Sequence, residues 1–126
     1  MKKSILLTGL ICLATLLSHS QSIDHRNWKA YLAAPINDTV TFHINSDSSF
    51  IANSNGEVVI RINCMIAAQT LSIVNQEADE HGCPGQKGTY TINFKDNGFT
   101  LSLINDECEG RAHALAGVLW KDTAKN

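Results

Sequence analysis

From Thr39 onward apolar and polar side chains alternate. Val40, Phe42 and Ile44 are set against Thr39, Thr41, His43 and Asn45, the period of a half-buried strand. A turn at Ser46 to Ser48 leads into a second short strand carrying Phe50 and Ala52, and Asn55-Gly56 is a hairpin signal. Val58, Ile60, Ile62 and Cys64 share one face of a third strand, opposite Glu57, Val59, Arg61 and Asn63. Thr70 to Val74 predicts a fourth, and Asn75 to Lys87, with Gly82, Pro84 and Gly85, an exposed loop. Tyr90, Ile92 and Phe94 alternate with Thr89, Thr91 and Asn93. Lys95-Asp96-Asn97-Gly98 turns the chain, and Phe99, Leu101 and Leu103 return. An acidic loop from Asn105 to Gly110 and a last strand from His113 to Trp120 complete the pattern. Ahead of it, Trp28, Tyr31 and Leu32 stand at spacings of three and four and predict a short N-terminal helical or irregular segment within 23–35.

Seven or eight short strands, with turns every ten or so residues, place the chain in the all-β class, as a sandwich or a closed barrel. The barrel is preferred. A continuous meander of about eight antiparallel up-and-down strands can close on itself and leave no exposed edge.

The first twenty residues stand outside this pattern. Lys2 and Lys3 precede an apolar stretch from Ile5 to Leu17, and Ser18-His19-Ser20 offers small residues before Gln21. That order predicts a cleaved signal peptide over 1–20 and a periplasmic or secreted product, 21–126, forming a single domain. The apolar stretch is shorter than the roughly twenty residues a membrane span requires, so no transmembrane anchor is expected. Removing it shifts the charge. The whole chain carries 10 basic and 12 acidic side chains, but Lys2 and Lys3 leave with the signal. The remainder is more acidic, without the basic stripe that nucleic-acid binding demands.

Cys12 leaves as well, and Cys64, Cys83 and Cys108 remain, enough for one disulfide. If Phe94 faces Phe99 across the turn, Cys83 and Cys108 come nearly opposite at the open end of that hairpin. The neighbouring glycines and proline absorb the offset. A bridge there closes a loop of about 26 residues, worth roughly 3.5 kcal/mol on loop-entropy grounds. Cys64, on the apolar face of its strand, is expected as a buried thiol. The competing reading takes His81, Cys83, Cys108 and His113 as zinc ligands, but the spacing is not finger-like and oxidation competes for both thiols. No metal or other cofactor is expected.

Catalytic patterns are sparse. There is no Gly-x-Ser-x-Gly elbow, phosphate-cradling loop or His-Glu-x-x-His. His43 falls on the polar face of its strand and is expected at the surface. The run Asp106-Glu107-Cys108-Glu109-Gly110-Arg111 concentrates charge. It offers either paired carboxylates for acid–base work or an Asp106–Arg111 salt bridge holding the crossover to the last strand, and the salt bridge is preferred. No catalytic residue is assigned.

Cys83, Gly88-Thr89-Tyr90, Phe99-Thr100-Leu101, Asp106-x-Cys108-x-x-Arg111 and Leu115-x-Gly117-x-x-Trp120 together resemble the C-terminal half of small bacterial lipocalin-like (calycin) proteins. Val40-Thr41-Phe42 followed by Ser49-Phe50 resembles their first hairpin. In place of the Gly-x-Trp common in lipocalins, this chain has Arg26-Asn27-Trp28. The resemblance implies an exported barrel with an internal site for a small hydrophobic molecule. It also implies that Trp28 caps one end and that Arg111 packs near it. The inward positions Phe42, Tyr90, Phe94, Leu101 and Leu103 are the expected ligand contacts, with Trp28, Asp106 and Arg111 structural. A filled barrel serving as a structural or protein-interaction module of the cell envelope is the alternative, and an enzyme using the loop 106–111 the third reading.

Overall fold

The computed structural model describes residues 22–124 apart from residues 35, 47 and 77–82. The expected signal at 1–20 with Cys12, and the loop residues His81 and Gly82, lie outside the described residues. Eight strands follow in chain order: β1 (Arg26–Leu32), β2 (Asp38–Ile44), β3 (Ser49–Ala52), β4 (Val58–Ala67), β5 (Thr70–Asn75), β6 (Lys87–Lys95), β7 (Gly98–Asp106) and β8 (Trp120–Asp122). One helix, α1 (Glu109–Leu115), stands between the last two. Each strand pairs antiparallel with its sequence neighbour and β8 returns to β1, closing an up-and-down barrel. The expected alternation holds along β2, β5 and β6, whose apolar residues at every second position are buried, save Phe94 near the end of β6, which is partly buried.

Two segments differ from expectation. Residues 26–32 form β1, with Trp28, Ala30 and Leu32 inward and Tyr31 60% exposed. The helical spacing of Trp28, Tyr31 and Leu32 misleads because the small Ala30 is the true inward partner and Tyr31 merely covers the outer surface. Residues 109–115 are helical, and strand structure resumes only at Trp120. Over so short a run, period two and period 3.6 are hard to separate. Arg111 and Leu115, four apart, face the barrel on one side of α1.

The alternating directions give the barrel two unlike ends. The turns after β2, β4 and β6 lie at one end, where Trp28, Phe42, Phe99 and Trp120 pack together. The Trp28 and Phe99 ring centroids are 4.8 Å apart, and those of Phe42 and Trp120 5.3 Å, both edge to face. Ile23 is fully buried, and its carbonyl accepts a 3.0 Å hydrogen bond from Trp28 Nε1. This is the plugged end, and Trp28 packs within it. The other end carries the loops after β1, β3 and β5, together with α1.

The seam is short. β8 pairs with Trp28 and Lys29 on one side and with Gly98 and Phe99 on the other. Among the described residues, β7 beyond Phe99 has no strand on its outer flank apart from a bridge between Leu101 and Ala116. Leu103, opposite the inward Tyr90 in register, is therefore 49% exposed, and Ile104 55%.

Candidate ligand cavity

The site begins with a β-bulge. Tyr90 pairs with Leu103, but Thr89 pairs with Asn105 and Gly88 with Asp106, so one extra residue is inserted in β7. The insertion reverses the inward–outward parity and turns Asp106 into the barrel. Its carboxylate lies over Gly88, where a Cβ would come within 2.3 Å of Oδ2. Only glycine leaves room for it.

Asp106 is then surrounded by donors. Arg111 reaches it from α1 in a two-point pair, Nε to Oδ2 at 2.8 Å and Nη2 to Oδ1 at 2.7 Å. The Cys108 backbone N–H donates to Oδ1 at 2.8 Å, and the Tyr90 hydroxyl donates to Oδ2. The side chains of Arg111 and Asp106 are 8% and 0% exposed, so the preferred salt bridge is present and largely removed from water. Burial by itself would raise the Asp106 pKa. The hydrogen bonds from Arg111, Tyr90 and Cys108, with the Arg111 charge, outweigh it and hold the carboxyl below its ordinary value. Burial and the adjacent carboxylate push the Tyr90 hydroxyl the other way, well above its ordinary value. An ionised carboxylate accepting four hydrogen bonds has no proton to give and little lone-pair capacity left for taking one. Glu107 is exposed and accepts from the Lys87 backbone N–H. Asp106 is a structural anion that fixes Arg111.

Arg111 extends the cluster. Its Nη1 donates to Asn75 Oδ1 at 2.9 Å and its Nη2 to the Gln86 carbonyl at 2.9 Å. The Cys83–Cys108 disulfide, with Cα atoms 5.7 Å apart, ties the loop after β5 to the residue that precedes α1. Both cysteines of the zinc reading are therefore joined to each other. Cys64 is a buried free thiol, and its burial pushes its pKa up to about 11, which makes it a poor nucleophile at neutral pH. His43, half-buried on the outer face, hydrogen-bonds Asn27 and stacks on Phe50 with centroids 4.7 Å apart.

Beneath α1 lies a cavity of about 320 Å³. Leu32, Ile51, Ile60, Ile62 and Ile73 supply its walls from the strands and Ile36 from the loop after β1. Cys108, Gly110, Arg111, Ala114 and Leu115 cover it, and Asn75 adds a second polar side chain. The volume is at the low end of the roughly 300–1,000 Å³ typical of small-molecule pockets.

The expected contacts fall elsewhere. Phe42, Tyr90 and Leu101 are buried in the packed core, Phe94 is partly buried near the β6–β7 turn, and Leu103 points to solvent at the open seam. None of the five lines the cavity, whereas Cys108 and Arg111, expected as structural, do. Size explains the inversion. Large rings fill the plugged end, while branched aliphatic side chains leave space at the other. The isoleucines of β3, β4 and β5 were the available signal. The pairing of Trp28 with Arg111 is also corrected. Phe99, against Trp28, and Asp106, against Arg111, stand at opposite ends of β7, about 23 Å apart at the usual rise per residue.

Compared with family profiles, curated proteins and solved structures, the chain matches none. A disulfide suits an oxidising compartment. Among the described residues no helix is long and apolar enough to cross a membrane.

Proposed function

We propose that this protein is an exported, lipocalin-like barrel that binds a small apolar or amphipathic molecule in the cavity beneath α1. The observation that carries this reading is the division of the interior. One end is filled by aromatic rings, and the other is an apolar hollow roofed by a short helix that a disulfide and a buried ion pair hold in place. A chain that needed only a packed core could have closed that hollow with larger side chains at several of its lining positions, and an empty cavity carries a stability cost. The disulfide, the apolar leader and the resemblance of the Cys83 to Trp120 segment to bacterial lipocalin-like proteins support export and the family placement.

The test is uptake of Nile red and medium-chain lipids by the mature protein, read by fluorescence and native mass spectrometry. Ala114 lies on α1 at the cavity and is only half-buried, so Ala114→Phe takes up part of the space with little disturbance of the core. Wild type should retain a single bound molecule, and Ala114→Phe should weaken retention by about tenfold or more, roughly 1.4 kcal/mol, with unchanged far-UV circular dichroism. Failure of the wild type to take up any of these probes would refute the reading.

A further inference from the structure

Resting on that reading, we infer that the cavity selects neutral amphipathic ligands, those with a hydroxyl, carbonyl or amide head on an apolar tail, and discriminates against carboxylates. A lone arginine beside an apolar hollow would ordinarily suggest a fatty-acid site. Here the charge of Arg111 is already matched. Asp106 engages the guanidinium at two points, at 2.7 and 2.8 Å, with both side chains buried. A ligand carboxylate would bring a second anion to one cation, in a place where water cannot screen the repulsion and the ligand must give up its own hydration. A ligand ammonium gains nothing in exchange, because Asp106 accepts from Arg111 twice, from Tyr90 and from the Cys108 backbone.

A neutral acceptor meets neither obstacle. Of the five N–H groups of the guanidinium, two go to Asp106, one to Asn75 and one to the Gln86 carbonyl among the described residues. Tyr90 also interacts with this guanidinium, and a ligand oxygen would share the Nη1 edge of Arg111, a residue that lines the cavity. The tail would lie against Ile51, Ile62 and Ile73. The volume favours a short chain or a small ring over a long acyl tail.

Matched ligands test this directly: octanol, octanamide, octanoate, octylammonium and nonane, titrated into the mature wild-type protein at neutral pH by calorimetry. The alcohol or amide should bind about tenfold or more tightly than octanoate and octylammonium, and more tightly than the alkane. Octanoate affinity should rise as pH falls toward the acid's own pKa. Octanoate binding as well as the alcohol, or nonane binding as well, would overturn the inference and leave the cavity reading intact. Binding of none of the five would count against the cavity reading itself. A second arm uses Asp106→Asn, which keeps the shape and leaves Arg111 with its charge unmatched. In the folded variant the preference should turn toward octanoate, and an unchanged order of affinities would overturn the assignment to Arg111 and Asp106.

Discussion

At the scale of single residues, the cluster of Tyr90, Asp106 and Arg111 makes stability depend on pH at both extremes. Asp106 is held below its ordinary value of 3.8, so the unfolded chain binds more protons than the native one in acid. Its stabilisation is complete above about pH 4 and is lost as the pH falls through the lower native value. Tyr90 is raised above its ordinary value of 10.0, so its contribution is present below about pH 10 and is lost as the pH rises toward the native value. Tyr90→Phe should cost about 1.5–3 kcal/mol in urea denaturation at pH 7, as expected for a hydrogen bond to a charged group. The same variant should move acid unfolding to higher pH, because Asp106 loses a donor, and should remove the alkaline loss that Tyr90 causes. An acid midpoint equal to that of wild type would show that the hydroxyl does not support the carboxylate. The charges of Asp106 and Arg111, five apart, made their pairing legible in the sequence. The participation of Tyr90 and Asn75 was not, since Tyr90 meets Asp106 only because the bulge at Ile104 turns that carboxylate inward, and Asn75 meets Arg111 only once β5 and α1 are brought together.

At the scale of elements, β2 to β7 were legible because their alternation runs over four to ten residues with one buried face, whereas β1 and the three-residue β8 were not. The register from Phe94 and Phe99 was legible too, and it led to Cys83 and Cys108 despite the unforeseen bulge. α1 was not legible. A helix of seven residues has little stability of its own, and Cys108 supplies no side-chain cap. Tertiary ties make it a helix: the disulfide before its first turn, Arg111 on Asp106, and the buried Leu115. The double variant Cys83→Ser/Cys108→Ser should lower stability by about 3.5 kcal/mol. It should also accelerate amide exchange in α1 more than in β1 and β2, as measured by hydrogen exchange with mass spectrometry. Equal acceleration throughout would mean that the bridge acts only on the unfolded chain. The cavity was misplaced for a related reason. Aromatic residues draw attention in a sequence, but the space they leave unfilled lies among isoleucines whose common surroundings appear only once the barrel is closed.

At the scale of the whole molecule, closure depends on three residues of β8. Gly98 makes that contact close, because a Cβ there would stand 1.9 Å from the Trp120 carbonyl oxygen, and backbone cannot yield cheaply. Gly98→Ala should therefore destabilise the fold by about 1–3 kcal/mol, the usual cost of overpacking. The tryptophan environment, followed by near-UV circular dichroism, should change with it. A variant as stable as wild type, with an unchanged aromatic signal, would show that the seam tolerates separation. The pairing of Trp28 with Asp122 also orders events in time. Contacts between successive strands from β1 to β7 are local, but the ring closes only when β8 reaches β1. Contacts so distant in sequence are slow to form. Until β8 docks, a sheet of β1 to β7 has two bare edges, and such edges can pair with those of a neighbouring molecule.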